Sequence, residues 1–434
     1  MSPFFFMKHK FAQILALSVV AAALFVSSCS TATDGRIEAA ETRIEAERPE
    51  TAEIAAGLLA VEKAPNEALT YVQLALAYIK HARATGDASL NAKAAAAVKK
   101  GFEASPDDLF LKKIEATLQL SSHRFADALV AGKALVEKYP QDSYGYGIIA
   151  DANIELGDYE AAVRAAQQMV DLKPNAVSYA RVAQLRSLHG DMAGAIEMYT
   201  TAARTADPLD KEFQSYCLVR LAKEHLKYGK YAQAEKILDE SLVNFPGYHM
   251  ALSAKASARA AQKDLDAAIA ILTEVTNRVA NVENVILLGD LYAKRGELTK
   301  AEEQYARAEN LELSAGDIYD QQGLALLWSD RDKNLDQALE IVERDAAFRS
   351  DIFTLEALAR TLLKMGRLAE AKAAIEKANR LNSKDSHILY YAGIIESSLG
   401  NKRRAAQYFK EALQISPEFD VMAADDARAR LADL

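Results

Sequence analysis

The chain is poor in cysteine, proline, tryptophan and positive charge. Its 434 residues include two Cys, nine Pro and one Trp, and 52 Lys and Arg stand against 61 Asp and Glu. Two cysteines exclude a disulfide framework or a multi-cysteine metal site. The net charge of −9 gives no reason to expect a nucleic-acid backbone as partner. One clear apolar run, sixteen mostly apolar residues from Phe11 to Val26, is short for a membrane-spanning helix, which needs about 20. No segment alternates with period two for long enough to suggest a sheet. Apolar material itself is plentiful. Half of the residues are hydrophobic, enough to build a core and to exclude disorder over most of the length.

Signatures of chemistry are missing too. There is no Gly-x-x-x-x-Gly-Lys phosphate loop, no Gly-x-Ser-x-Gly elbow and no His-Glu-x-x-His. His9, His81, His123, His189, His225, His249 and His387 are too scattered to form one metal face. Gly145-Tyr146-Gly147-Ile148-Ile149-Ala150 matches a dinucleotide fingerprint by letter, but it follows no strand and reads as small packing residues inside a helix. Asp330-Arg331-Asp332-Lys333-Asn334-Leu335-Asp336 spaces oxygen ligands like a calcium loop. It lacks the Gly at position six and the Glu at position twelve, and reads as a solvated turn. Cys217 has no partner at nucleophile spacing and is expected as a buried thiol. The dense carboxylates are expected on solvated helix faces. The cluster Lys402-Arg403-Arg404 is too small for a nucleic-acid footprint. The expectation is therefore no enzyme, no metal and no cofactor; a hydrolase with an acid pair in a groove is the reading from another class.

The N-terminus carries a targeting pattern. Lys8, His9 and Lys10 precede the apolar run, and Val26-Ser27-Ser28-Cys29 follows it. Small residues ahead of a cysteine resemble the bacterial lipobox. The resemblance implies that residues 1–28 are a signal peptide removed on maturation, and that Cys29 is diacylated and often N-acylated. Ser30 after the cysteine resembles the outer-membrane sorting preference of diderm bacteria, with the folded part facing the periplasm. Removal leaves 50 basic against 61 acidic side chains, and two or three acyl chains suffice for stable anchoring. Residues 29–50 read as a polar tether.

Self-comparison exposes a repeat. Ala94, Ala128, Ala162, Ala195, Ala234, Ala268, Ala301, Ala338, Ala371 and Ala405 recur at intervals of 33 to 39 residues. Gly157, Gly190, Gly229, Gly296, Gly366 and Gly400 lie five residues before the marked alanine, and Pro106, Pro140, Pro174, Pro208, Pro246 and Pro417 lie twelve or thirteen after it. Each type has a physical role. The glycine ends a helix in a left-handed residue, the alanine admits close helix approach, and the proline pushes its predecessor out of the helical region. Between them the apolar spacing is helical, as at Val285, Leu288, Gly289 and Tyr292, then Ala301, Tyr305 and Ala308.

This pattern resembles the tetratricopeptide repeat, a helix pair of 34 residues, most closely in 285–311 and 387–417. The resemblance implies an all-α, right-handed superhelix of ten helix-turn-helix units: 68–108, 109–142, 143–175, 176–214, 215–248, 249–281, 282–315, 316–351, 352–385 and 386–419. A lone second helix precedes them in 51–67, and 420–434 is expected as a capping helix. Departures are an insertion at 81–91, Lys263 at a turn-glycine position and three extra residues around 330–334. The stretched connection 207–214 is expected as a hinge between segments 51–206 and 209–434, unless the solenoid is continuous.

In this family first-helix positions line a concave groove. Carried over, they give Tyr144 and Asp151; Tyr216, Lys223 and Lys227; Asp290 and Lys294; Asp317, Asp320, Leu324 and Trp328; Phe353, Arg360 and Lys364; and Tyr390 and Ile394. Aromatics and Arg are the residues enriched at binding hot spots. The family's clamp for chaperone C-terminal carboxylates needs Lys at position 5 and Asn at position 9, and no unit has both. The function expected is a lipid-anchored scaffold that binds a protein partner in the groove, in envelope assembly, secretion or pilus biogenesis. A polysaccharide-export lipoprotein is the alternative within the binding class.

Overall fold

The sequence phase places a helix stop about every seventeen residues, and the chain follows it. The computed structural model describes residues 49–315 and 321–434; the signal segment, Cys29, Asp317 and Asp320 lie outside the described residues. The first helices of the ten units are α2 (Ala68–Thr85), α4 (Leu109–Ser121), α6 (Ser143–Leu156), α8 (Ala176–Leu188), α10 (Lys211–Lys227), α12 (His249–Ala261), α14 (Val282–Lys294), α16 (Gln322–Asp330), α18 (Ile352–Lys364) and α20 (Ser386–Ser398). Their second helices are α3 (Ser89–Ala104), α5 (Phe125–Lys138), α7 (Tyr159–Leu172), α9 (Met192–Thr205), α11 (Tyr231–Asn244), α13 (Leu265–Arg278), α15 (Leu298–Ala315), α17 (Leu335–Phe348), α19 (Leu368–Ala378) and α21 (Lys402–Ile415). The lone helix α1 (Pro49–Lys63) precedes them and α22 (Ala423–Asp433) closes the array. Residues 52–434 form one compact unit. Among the described residues there is no strand, and no helix is long and apolar enough to cross a membrane.

The marked alanines sit where the helices of a pair meet. Nine of the ten are fully buried and Ala301 is 2 % exposed. A larger side chain there has no room, and overpacking of this kind costs about 1–3 kcal/mol. Elsewhere a small residue faces a ring: a Cβ on Gly393 would come within 2.6 Å of Phe409.

The turn five residues before each alanine needs a positive φ, whichever residue occupies it. Gly157, Gly296 and Gly366 supply it, but so do His123 (φ 54°) and Lys263 (φ 66°). The two irregular units turn at Gly86, and at Asp332 with Asn334. Helix ends before the prolines are extended, as at Ser105 and Ser416, yet Val279 and Arg349 adopt the same geometry with no proline following. Many starts are capped by a carboxylate: Asp108, Asp142, Asp158, Asp191, Asp210, Asp264, Asp351 and Asp385 accept hydrogen bonds from backbone N–H groups of the first turn. Each such cap contributes about 1 kcal/mol, so part of the acidic excess is helix-starting chemistry. At the stretched connection Asp210 caps α10, and the Gln214 amide donates to the Ala203 carbonyl of α9.

Regions far apart in the chain are in direct contact. The Ser350 N–H donates to the Leu156 carbonyl, 3.2 Å, and the buried Ile352 N–H donates to the Tyr159 hydroxyl, 2.9 Å, across 193 residues. Glu418 N–H donates to the Tyr231 hydroxyl, 187 residues away. Turns of the N-terminal half thus rest on connections about five to six repeats later, as the stacked turns of a superhelix do. Arg349 reinforces the seam by pairing with Glu155 at 3.0 Å and Asp351 at 2.7 Å.

Candidate binding surface

Second helices cover one side of each first helix, which leaves a face where first helices meet each other. Polar bonds between successive first helices mark it. Tyr144 of α6 pairs with Thr117 of α4, and the Lys113 ammonium lies 5.3 Å from the Tyr144 ring while it pairs with Asp142. Arg181 of α8 holds Asp151 of α6 with two hydrogen bonds of 2.9 and 2.6 Å. Lys227 of α10 donates to the Ser187 carbonyl of α8 at 3.0 Å. Asn284 of α14 donates to Ser253 of α12 at 2.8 Å. Arg360 of α18 pairs with Asp330 at 2.7 Å and lies 4.4 Å from the Tyr391 ring of α20. Lys364 pairs with Asp332 at 3.1 Å. Asp330 and Asp332 of the calcium-like spacing are thereby engaged by cations of the next repeat.

The structure divides the expected groove residues. Tyr144, Lys223, Lys294, Phe353 and Lys364 are exposed, and Asp151, Tyr216, Lys227, Asp290, Arg360 and Ile394 are partly so. Trp328, Tyr390 and Leu324 are not surface groups as expected but core. Trp328 is 8 % exposed and its indole N–H donates to Glu309 at 2.7 Å. Tyr390 is 7 % exposed, packs beside Phe409 and Phe419, and donates to Asp426 of α22 at 2.7 Å. The reason is local: Trp328, the one ring of α16, packs into the core that Leu324 shares with Ile352 and Leu355 of α18, and Tyr390 lies under the capping helix. Asp320 and Cys29 lie outside the described residues.

Several groups on this face have shifted protonation. Loss of water around Asp290 pushes its carboxyl up to about 7; the 2.7 Å hydrogen bond from the Tyr305 hydroxyl works against the rise, and Asp420 and Asp330 add to it. Desolvation lowers the Lys223 ammonium and neighbouring Arg220 lowers it further. Arg220 itself was not picked out from sequence. Tyr216, Arg220, Lys223 and Lys227 follow one another at intervals of four, three and four residues, the spacing of a single helix face, and that register was the available signal. Arg181 and Tyr391 were missed likewise, because their contacts depend on the neighbouring repeat.

Away from this face, Gly145 and Gly147 are buried within α6. Cys217 is fully buried, and desolvation pushes its thiol up to about 12, which makes it inert as a nucleophile.

Comparison with known proteins bears on the repeat. The tetratricopeptide-repeat family profile matches residues 115–177, 219–278 and 356–418. No curated protein sequence matches the chain. Among solved structures, a tetratricopeptide repeat protein from Parabacteroides merdae is similar at 21 % identity over 64 % of this chain and 98 % of its own, with a TM-score of 0.35. A human IFIT1 dimer with PPP-AAAA is similar at 15 % identity over 84 % of this chain and 87 % of its own, with a TM-score of 0.48. With the family match in phase with the helix pairs and the buried alanines, the chain carries tetratricopeptide repeats and folds as an all-α solenoid.

Proposed function

We propose that this protein is a lipid-anchored scaffold that holds another protein against its first-helix face, in envelope assembly, secretion or pilus biogenesis. The observation that supports it is the polar ladder from first helix to first helix, with Tyr144, Lys223, Phe353 and Lys364 reaching solvent along it. A face of this kind binds through a few aromatic and charged anchors, and a packed solenoid presents them already ordered, which lowers the entropic cost of association. No bond is made or broken. The lipobox-like Cys29 supplies the anchor; an acidic body is repelled by anionic lipid, so acyl chains rather than protein charge hold it at the membrane.

The test is co-purification of the full chain from native membranes after cross-linking. Changing Tyr144→Ala, Phe353→Ala and Lys364→Glu together should remove the cross-linked partner while helicity is unchanged. Retention of the partner overturns the face assignment. Cys29→Ser should move the chain from the membrane fraction to the soluble one, and continued membrane association would overturn the anchor.

A further inference from the structure

The cations of the first-helix face make direct ion pairs almost everywhere except on α10. Lys113 pairs with Asp142, Arg181 with Asp151, Arg360 with Asp330 and Glu356, and Lys364 with Asp332. On α10 the Arg220 Nε and Nη2 donate only to the Tyr199 hydroxyl, at 3.2 and 3.0 Å, with the guanidinium 5.6 Å from that ring. Lys223, one turn on, reaches solvent with no hydrogen bond or ion pair among the described residues. The helices on either side place no carboxylate in contact with them; the charges that reach them are Glu224 of α10 itself, acting on Arg220, and Glu283 of α14, acting on Lys223. Gln184 and Ser187 stand on α8, with Ser253 and Ser257 on α12, and Glu224 is turned to Ser187 at 2.7 Å. Negative charge returns two repeats beyond α10, on α14, as exposed Glu283 and partly buried Asp290.

We propose that this stretch of the face binds an extended, mixed-charge segment of a partner protein, with two acidic side chains seated on Arg220 and Lys223 and a basic one on Asp290. The proposal rests on the protein-binding reading above and specifies its chemistry. Two carboxylates can accept from the free Nη1 edge of Arg220 and from the Lys223 ammonium, and Tyr216 on the same helix face offers a ring beside them. Helices in contact lie ~9 Å apart, so the axes of α10 and α14, two repeats apart, are separated by roughly 18 Å. An extended chain covers that distance in about six residues. A polyanion fits less well: a phosphodiester strand following the face from α10 would run onto Asp290 and Glu283, and back toward α6 onto Asp151, whereas a segment of alternating sign meets a complement at each site.

Fluorescence anisotropy on the full chain at low ionic strength and pH 8, where Asp290 is ionised, tests this with three labelled probes. One is a Gly/Ser peptide carrying Glu-Glu and Lys-Lys separated by six residues, one is the same composition with Glu and Lys alternating, and one is a 12-nucleotide single-stranded RNA. The spaced peptide should bind about 10-fold tighter than the alternating one. Arg220→Gln with Lys223→Gln should abolish that preference, as should Lys223→Glu alone, a change at an exposed side chain that leaves the Tyr199 contact intact. Asp290→Asn should weaken the spaced peptide by about 3-fold, and Lys402→Gln, Arg403→Gln and Arg404→Gln together should leave it unchanged.

Equal affinity for the two peptides, no binding of the spaced peptide to the unaltered chain, or a preference that survives Lys223→Glu overturns the proposal. RNA that binds more tightly than the spaced peptide and is lost in the same variants overturns it in favour of a nucleic acid. The outcome is separable from the partner-capture experiment. Loss of the captured partner with no peptide preference removes this inference alone; retention of the partner removes the face assignment itself.

Discussion

The glycine turns of the N-terminal half and those of the C-terminal half look the same in sequence and in backbone angle, but they have different surroundings. Gly157 has φ +83° and Gly296 has φ +83°. A Cβ on Gly157 would lie 2.5 Å from the Ser350 carbonyl, and one on Gly190 would lie 2.5 Å from the Asn382 carbonyl oxygen. A Cβ on Gly296, Gly366 or Gly400 would meet nothing within 4 Å. The early turns are covered by the later winding of the superhelix and the late turns have no winding above them. One residue type thus answers two requirements, helix termination throughout and backbone approach in one half.

The sharpest way to break the comparison is Gly157→Ala against Gly366→Ala. The first adds left-handed strain and a backbone collision that no rotamer relieves, and should lose about 3 kcal/mol or more in denaturant unfolding. If the two variants unfold alike, the seam does not hold in solution. Tyr159→Phe comes next: it removes the acceptor of the buried Ile352 N–H, an orphaned donor that costs about 1–3 kcal/mol, read as a lower Tm with unchanged helicity.

A pH titration then compares two acids. Asp290 on the first-helix face has a folded pKa near 7 against an ordinary 3.8, so its contribution is present at low pH and is lost as pH rises from about 4 to 7. Asp290→Asn should therefore raise the unfolding midpoint at pH 8 and leave it unchanged at pH 3. Asp425, which Lys294 and Arg428 hold down to about 2, has the opposite sign: its contribution is present above 3.8 and disappears as pH falls toward 2. Asp425→Asn should lower the midpoint at pH 7 slightly, since the carboxylate is exposed. The smallest effect belongs to Gly366→Ala, about 1 kcal/mol from left-handed strain alone.

The helix pairs were legible because each depends on residues within one 34-residue period. The alanine at the crossing, the positive-φ turn and the extended helix end are local demands, and a residue that meets them recurs in phase. His123 and Lys263 show the limit of that signal. Their turns are as left-handed as those of the glycines, but nothing in the residue type announces it, because the helices on either side impose the angle. The binding surface was less legible. Trp328 and Tyr390 occupy family groove positions, but packing against Ile352 and Leu355 of α18 in one case and the capping helix in the other turn them into core. Arg220 and Arg181 were passed over because their significance depends on whether the neighbouring repeat supplies a carboxylate.

Sequence by itself determined the all-α class, the ten helix pairs, their turns and the inert Cys217, since short-range sterics and helical periodicity act within each repeat. Only the tertiary structure decided which repeats touch across some 190 residues, which turns are covered, and which cations on the first-helix face have no carboxylate in contact. Those outcomes depend on how small rotations between repeats accumulate along the array, and no single repeat encodes that sum.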